Sequence, residues 1–181
     1  MRVALVLDGK VVGTYPISFG GLNYRPTTHE VIQEALALVG DELRRRGVEV
    51  SAELDCNLPS VSADFVQLQQ VLLNLVMNAI ESMTTITDHP RVLQIRSRLH
   101  DLAGRPAVLV AVRDSGVGLT AEGMPGVFEA FYSTKPEGMG MGLWICRSII
   151  ETHGGQLTAQ PNAGIGATFQ FDLPASDKDN A

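Results

Sequence analysis

The chain has 181 residues, 45% of them apolar and 19% charged, with a formal net charge of −6, which fits one globular domain with a substantial core and a short extension. That acidic balance argues against nucleic acid or an anionic membrane as a general partner, because the phosphate-neutralising charge is missing. Cys56 and Cys146 stand in unrelated contexts and suggest neither a disulfide framework nor a metal site, and no apolar stretch approaches the roughly 20 residues that span a bilayer.

Residues 1–26 carry short apolar runs around Asp8-Gly9, a hairpin signal, and read as an N-terminal extension. Asp8 interrupts the apolar start, so it does not read as a signal peptide. The expected setting is cytoplasmic, with any membrane sensor outside this chain. Thr27 with Glu30 forms a capping box, and Val31, Ile32, Ala35, Leu36, Val39 and Leu43 follow at helical spacing. The run Arg44-Arg45-Arg46 before Gly47 suits a helix end, where it complements the dipole and a glycine cap.

Residues 48–54 alternate as a strand, and a second helix is predicted from about Ala63 to Met83. Two strands, 92–99 and 107–114, are joined through Gly104-Arg105-Pro106. The glycine-rich stretch 115–139 reads as a long loop of the kind that carries function. A third helix covers about Gly140 to His153, two strands close the domain at 156–160 and 167–173, and 175–181 reads as a frayed tail. The predicted class is α+β: a two-layer α/β sandwich over residues 27–174, with about three helices on one face of a mixed, mostly antiparallel sheet.

Four segments could carry chemistry. On the second helix Asn74, Asn78 and Glu81 share one face at i, i+4, i+7, amid apolar residues that fill the rest of the circumference. A polar stripe facing solvent explains that pattern equally well. Asp114-Ser115-Gly116-Val117-Gly118 follows an apolar strand, where a carboxylate could accept from an exocyclic amine and the glycines let the backbone approach a flat ligand. Gly138-Met139-Gly140-Met141-Gly142-Leu143 precedes an amphipathic helix whose N-terminus could hold an anion. It lacks the β-α-β context of a dinucleotide fold, and no Walker-type phosphate loop is present. Gly164-Ile165-Gly166-Ala167-Thr168 leads into the last strand and alone reads as a turn.

In this order the four segments resemble the N, G1, G2 and G3 boxes of histidine kinase catalytic domains. That superfamily is shared with DNA gyrase, the MutL repair protein and a heat-shock chaperone. Phe128-Glu129-Ala130-Phe131, followed by Tyr132-Ser133-Thr134-Lys135, resembles the F box. From Phe131 to Pro174 the chain is similar to kinases of the nitrogen-regulation and oxygen-sensing type, and the resemblance as a whole covers about residues 27–174.

It implies a Bergerat-type ATP-binding fold and a protein-histidine kinase domain using ATP and Mg²⁺. By that resemblance Asn78 coordinates the magnesium bridging the phosphates, and Asn74 holds the phosphates or the metal's water shell. Asp114 matches the aspartate that binds the adenine amino group, with Gly116 and Gly118 lining the base. Thr168 matches the residue whose hydroxyl reaches the adenine, often through water. Gly138, Gly140 and Gly142, with Leu143 after them, match the hinge of a nucleotide lid that offers amides to phosphate. Lys135 is a candidate phosphate contact from the lid, and reads almost as well as a solvated lysine.

Two departures matter. Glu81 stands where many such kinases have lysine. No segment resembles the phosphoacceptor helix, and His29, His89, His100 and His153 read as ordinary histidines. The related ATPases carry a glutamate base where this chain has Asn74, an amide that cannot accept a proton. The implied partners are therefore a phosphoacceptor histidine domain absent from this chain, a response regulator, and a second copy in a full-length homodimer. The alternatives left open are an ATPase and a nucleotide-sensing or partner-docking module of the same fold. A serine kinase of the anti-sigma type is disfavoured by the match in the lid region.

Overall fold

The computed structural model describes residues 2–7, 10–16, 27–120, 126–132 and 139–176. Strands β1 (Arg2–Leu7) and β2 (Lys10–Pro16) pair antiparallel as a separate two-stranded sheet. Helices α1 (Thr28–Leu38) and α2 (Gly40–Arg45) precede β3 (Val48–Leu54), and α3 (Phe65–Ser82) follows it. Then come β4 (Arg91–Leu102), β5 (Arg105–Asp114), α4 (Gly142–Thr152), β6 (Leu157–Pro161) and β7 (Ala167–Pro174). The main sheet has the order β3-β4-β5-β7-β6. Its β3–β4 pair is parallel and the other pairs are antiparallel, as the predicted mixed sandwich requires.

The capping box at Thr27 forms in full: the Thr27 N–H donates to Glu30 Oε2 at 2.7 Å, and the Glu30 N–H donates to Thr27 Oγ1 at 3.3 Å. The single helix expected up to Gly47 is instead two. It breaks at Val39 (φ −101°, ψ 6°), just before Gly40, where an interior glycine costs about 1 kcal/mol relative to alanine. The break lets both Val39 and Leu43 stay buried in the core. The predicted connection between β4 and β5 is also tighter than expected. Ala103 (φ 53°) and Gly104 (φ 82°) alone form the turn, and Pro106 already lies within β5, opposite Asp101. Two positive φ values match the twist of a two-residue hairpin.

One apolar cluster joins all four helices to the sheet. Helix α3 supplies Leu68, Val71, Leu72, Leu75, Val76, Ala79 and Ile80 to it. Each of the larger side chains is worth roughly 2 kcal/mol relative to exposure, which outweighs the few kcal/mol of carrying two part-buried amides on the same helix. Its N-terminus is fixed twice. Asp64 accepts the Gln67 N–H at 3.0 Å, and the Asp64 N–H donates to His153 Nε2 at 3.0 Å. At the other end the Arg91 guanidinium donates to the carbonyls of Arg46 (2.7 Å), Thr84 (3.2 Å) and Ile86 (2.8 Å). These are carbonyls at or beyond the ends of α2 and α3, which a helix leaves without partners. Among the described residues no helix is long and apolar enough to cross a membrane.

Candidate functional site

β5 ends at Asp114, whose side chain is only 4% exposed. The Gly116 N–H donates to its Oδ1 at 2.8 Å, and Ser82 Oγ at the end of α3 lies 3.1 Å from the same oxygen. Burial pushes the Asp114 carboxyl above the ordinary aspartate range, although the Gly116 N–H and the Ser82 hydroxyl pull it down. The cause is the cost of holding charge away from water, only partly offset by donors.

The turn after Asp114 is pressed onto α3. The Val117 N–H donates to the Ser82 carbonyl at 3.2 Å, and a Cβ on Gly116 would stand 2.7 Å from the Ser82 backbone carbon. Only glycine fits there. Gly118 (φ +76°) meets the turn before β7, since its Cβ would lie 2.9 Å from the Gly166 carbonyl oxygen. Gly166 (φ +81°) in turn backs onto Asp114, where a Cβ would overlap the carbonyl oxygen and stand 2.7 Å from its carbon.

Asn162 links the two turns. Its Nδ2 donates to the carbonyls of Asp114 and Ile165, each at 2.9 Å, and its Oδ1 accepts from the buried Thr168 hydroxyl at 2.6 Å. Thr168 has therefore committed its proton and presents only acceptor capacity to anything else in the pocket. On the other side, His89 Nε2 lies 2.8 Å from the Ser115 carbonyl. Asn162, Ser82, Arg91, His89 and His153 are the polar residues that reading the sequence missed as parts of this framework. Asn162 alone carried a signal, as an asparagine two residues before Gly164 in a turn.

Asn74 and Asn78 are half-buried, and Glu81 is exposed. The stripe is thus not simply a solvated face. The buried Cys146 thiol on α4 donates to the Val71 carbonyl at 3.9 Å, and burial pushes it up to about 11 although the Asn74 side chain pulls it down. A Cβ on Gly142, the first residue of α4, would have Asn74 Oδ1 as its nearest neighbour, at 3.9 Å. Met141, the N-cap of α4, makes no side-chain capping bond, and the positive end of the helix dipole there favours an anion. Gly140 (φ +66°) packs against the 128–132 segment, where its carbonyl accepts the Phe131 N–H at 3.1 Å. Leu143 is partly buried against the core. Lys135 and Gly138 lie outside the described residues.

The arrangement follows one helix. Ser82 marks the Asp114 pocket, and Asn78 comes one turn earlier. Asn74 comes a further turn back, at the α4 N-terminus, roughly 12 Å from Ser82 by helical rise. A buried acceptor at one end of this line and a helix N-terminus at the other suit an elongated ligand with a flat amine-bearing head and an anionic tail.

This α/β sandwich, with polar groups gathered along α3 and the N-terminus of α4, defines a nucleotide-binding type of domain. The chain belongs to the histidine kinase-, DNA gyrase B- and HSP90-like ATPase family, whose model matches residues 63–177. It is 42% identical over 149 residues to sensor protein FixL of Bradyrhizobium diazoefficiens, an alignment covering 82% of this chain and 28% of that protein. To sensor protein TdiS of Thauera aromatica it is 40% identical over 146 residues, covering 81% of this chain and 26% of that protein. It therefore spans little more than a quarter of the length of either relative. The nucleotide-free catalytic domain of histidine kinase ThkA superposes with a TM-score of 0.69 at 35% identity, over 82% of this chain and 93% of that one. ThkA in complex with response regulator protein TrrA matches with a TM-score of 0.68 at 30% identity, over 83% of this chain and 41% of that one.

Proposed function

We propose that this domain binds ATP with its adenine at Asp114 and its phosphates between Asn74, Asn78 and the start of α4, and transfers the γ-phosphate to a histidine on a separate helical domain. The observation that carries this reading is the ordering along α3, with the buried carboxylate at Ser82 and the α4 N-terminus at Asn74. An ionised Asp114 accepts a hydrogen bond from the exocyclic amine of adenine, whereas guanine would turn a carbonyl oxygen toward it. Gly116 and Gly118 bring backbone against the base, and Thr168 accepts from the base or from a bridging water.

Among the described residues no group of three or more His, Cys, Asp or Glu side chains could hold a metal by itself. That suits Mg²⁺, which takes most of its ligands from phosphate and water. Asn78 would hold it through its amide oxygen, and the ion would neutralise charge on the phosphates. Asn74 keeps the phosphate chain at the α4 amides. No general base for water stands at the Asn74 position, so the domain positions the γ-phosphate and leaves the nucleophile to the incoming imidazole. That ring nitrogen bonds to the γ-phosphorus as the bond to the ADP oxygen breaks.

The partners this reading requires are a phosphoacceptor histidine domain, a dimer that presents it, and a response regulator of the kind found with ThkA. The expected setting is the cytoplasm, where ATP is available. The test mixes the chain with labelled ATP, Mg²⁺ and a separately produced phosphoacceptor domain. Acid-labile, base-stable label on the acceptor is expected, and it should vanish in Asn78→Ala and Asp114→Ala. Fast phosphate release without acceptor, dependent on Asn74, would replace this reading with an ATPase. Tight binding without transfer would replace it with a nucleotide sensor.

A further inference from the structure

Ser82 Oγ has two acceptors in reach, the Ala79 carbonyl at 2.8 Å within its own helix and Asp114 Oδ1 at 3.1 Å across the pocket. It has one proton to give. A serine at a helix end ordinarily bonds back to the preceding turn and contributes nothing further. Here, however, the second acceptor is a carboxylate with 4% exposure, and a charged acceptor holds a hydroxyl roughly twice as strongly as a neutral carbonyl. The position is also rigid. The Ser82 carbonyl accepts the Val117 N–H at 3.2 Å, and the Gly116 backbone lies against it too closely for any side chain.

We propose that Ser82 is a positioning residue of the base pocket: its hydroxyl fixes the Asp114 carboxylate in one orientation, so that its remaining acceptor capacity faces the ligand's exocyclic amine. The proposal rests on the nucleotide reading given above. Oδ1 already receives the Gly116 N–H and the Ser82 hydroxyl, and the Ala167 backbone is a further donor to the carboxylate, while a carboxylate has about four acceptor sites. The capacity left over suits an amine rather than a carbonyl. When Asp114 ionises, the Ser82 proton turns to it from Ala79; when Asp114 is protonated, the proton returns to the helix. Ser82 thereby offsets part of the burial that pushes the Asp114 carboxyl upward.

Among the described residues the charged groups of the surrounding elements are few. Helix α3 brings Glu81, exposed; the loop before β4 brings Asp88 and His89, whose Nδ1 and Asp88 Oδ1 are 2.8 Å apart. β4 brings Arg91, committed to backbone carbonyls, and β5 brings Arg113, exposed. None of these has a hydrogen bond to Asp114 comparable with that of Ser82.

The test compares the whole chain with Ser82→Ala in two measurements across pH. The first follows the carboxyl carbon of Asp114 by ¹³C NMR without nucleotide, and the second follows Mg²⁺-ADP affinity by calorimetry. The expected result is an Asp114 titration midpoint displaced to higher pH in Ser82→Ala. ADP affinity should fall roughly tenfold at neutral pH, with the acid-side loss of affinity beginning at a correspondingly higher pH. An unmoved titration overturns the proposal, and so does a loss of affinity that is uniform across pH. A wild-type chain that binds no adenine nucleotide overturns the function reading instead, and the NMR titration still decides whether Ser82 controls the carboxylate. If Ser82→Ala melts below the assay temperature, Ser82→Thr, which retains the hydroxyl, must titrate like wild type or the proposal fails.

Discussion

A methyl group at position 166 would strike the site at its most crowded backbone contact. Gly166 has φ +81°, and a Cβ there would overlap the Asp114 carbonyl oxygen, stand 2.7 Å from the Asp114 carbonyl carbon and lie 2.9 Å from Asn162 Nδ2. The left-handed conformation alone costs an alanine about 1 kcal/mol. Relieving the overlap means moving β5 away from the turn or breaking the Asn162 link, which adds about 1–3 kcal/mol by analogy with an overpacked core. The sum is about 2–4 kcal/mol, or roughly 4–16 °C in Tm for a chain of this length.

Gly47→Ala supplies the control. It has φ +62° with nothing within 4 Å of the added Cβ, so only the conformational cost of about 1 kcal/mol applies. Thermal melts followed by circular dichroism and ADP calorimetry on both variants separate the two contributions. Gly166→Ala should lose both stability and at least tenfold in affinity, because the carbonyl it displaces belongs to Asp114, the residue proposed to bind the base. Gly47→Ala should lose stability alone. Equal Tm losses in the two variants, or undiminished ADP affinity in Gly166→Ala, would refute the claim that this turn is fixed by contact with Asp114.

Asp114→Asn is expected to raise the Tm of the nucleotide-free domain at neutral pH while abolishing ADP binding, as read by parallel melts and calorimetry. The sign follows from linkage: a carboxyl whose folded pKa is raised binds more protons folded than unfolded, so it contributes stability below the window and loses it as pH rises through that window. The wild-type melt should therefore fall across that window relative to Asp114→Asn, and parallel pH profiles would refute the assignment. Arg91→Ala removes the donors that satisfy the carbonyls of Arg46, Thr84 and Ile86 and should cost about 2–4 kcal/mol, measured by urea unfolding. Arg91→Lys, which has no planar fork, should recover only part of that loss.

Helix α3 and the three glycine-bearing boxes were legible because their signals are local. A 3.6-residue period and a short glycine spacing can be read within one segment. The break between α1 and α2 was harder to see, since Val39 and Leu43 keep the apolar period on both sides of it, and both are buried. The residues that complete the site escaped for a different reason. Ser82 and Asp114 are 32 positions apart, Asn162 and Asp114 are 48, and Arg91 reaches Arg46 across 45. Asn162 meets Asp114 through the antiparallel pairing of β5 and β7, Arg91 meets Arg46 through the parallel pairing of β3 and β4, and Ser82 meets Asp114 where α3 packs against β5. Serine, arginine and asparagine at those places satisfy no periodic pattern, and each has an ordinary surface explanation in sequence.

The ambiguous stripe on α3 shows what decides between the two readings. Were Asn74, Asn78 and Glu81 a solvated face, all three would be exposed, but only Glu81 is. Asn74 sits between the buried Cys146 thiol and the uncapped start of α4. A leucine there would extend the apolar surface of α3 at a gain of about 2 kcal/mol. An amide retained at that position, beside a helix start whose N-cap residue Met141 gives no side-chain bond, gives up stability that a core residue would have supplied. The same holds for Asp114, whose charge is buried with too few donors to restore its ordinary titration. Under the proposed reading both costs fall at the two ends of one site, and both would be offset by the same ligand: an amine that completes the carboxylate and an anion that completes the helix N-terminus. Nucleotide should therefore raise the Tm of the wild-type domain more than it raises that of Asn74→Leu at the same concentration, because that variant has lost one of the two proposed attachments and binds more weakly; equal shifts would refute the role given to Asn74.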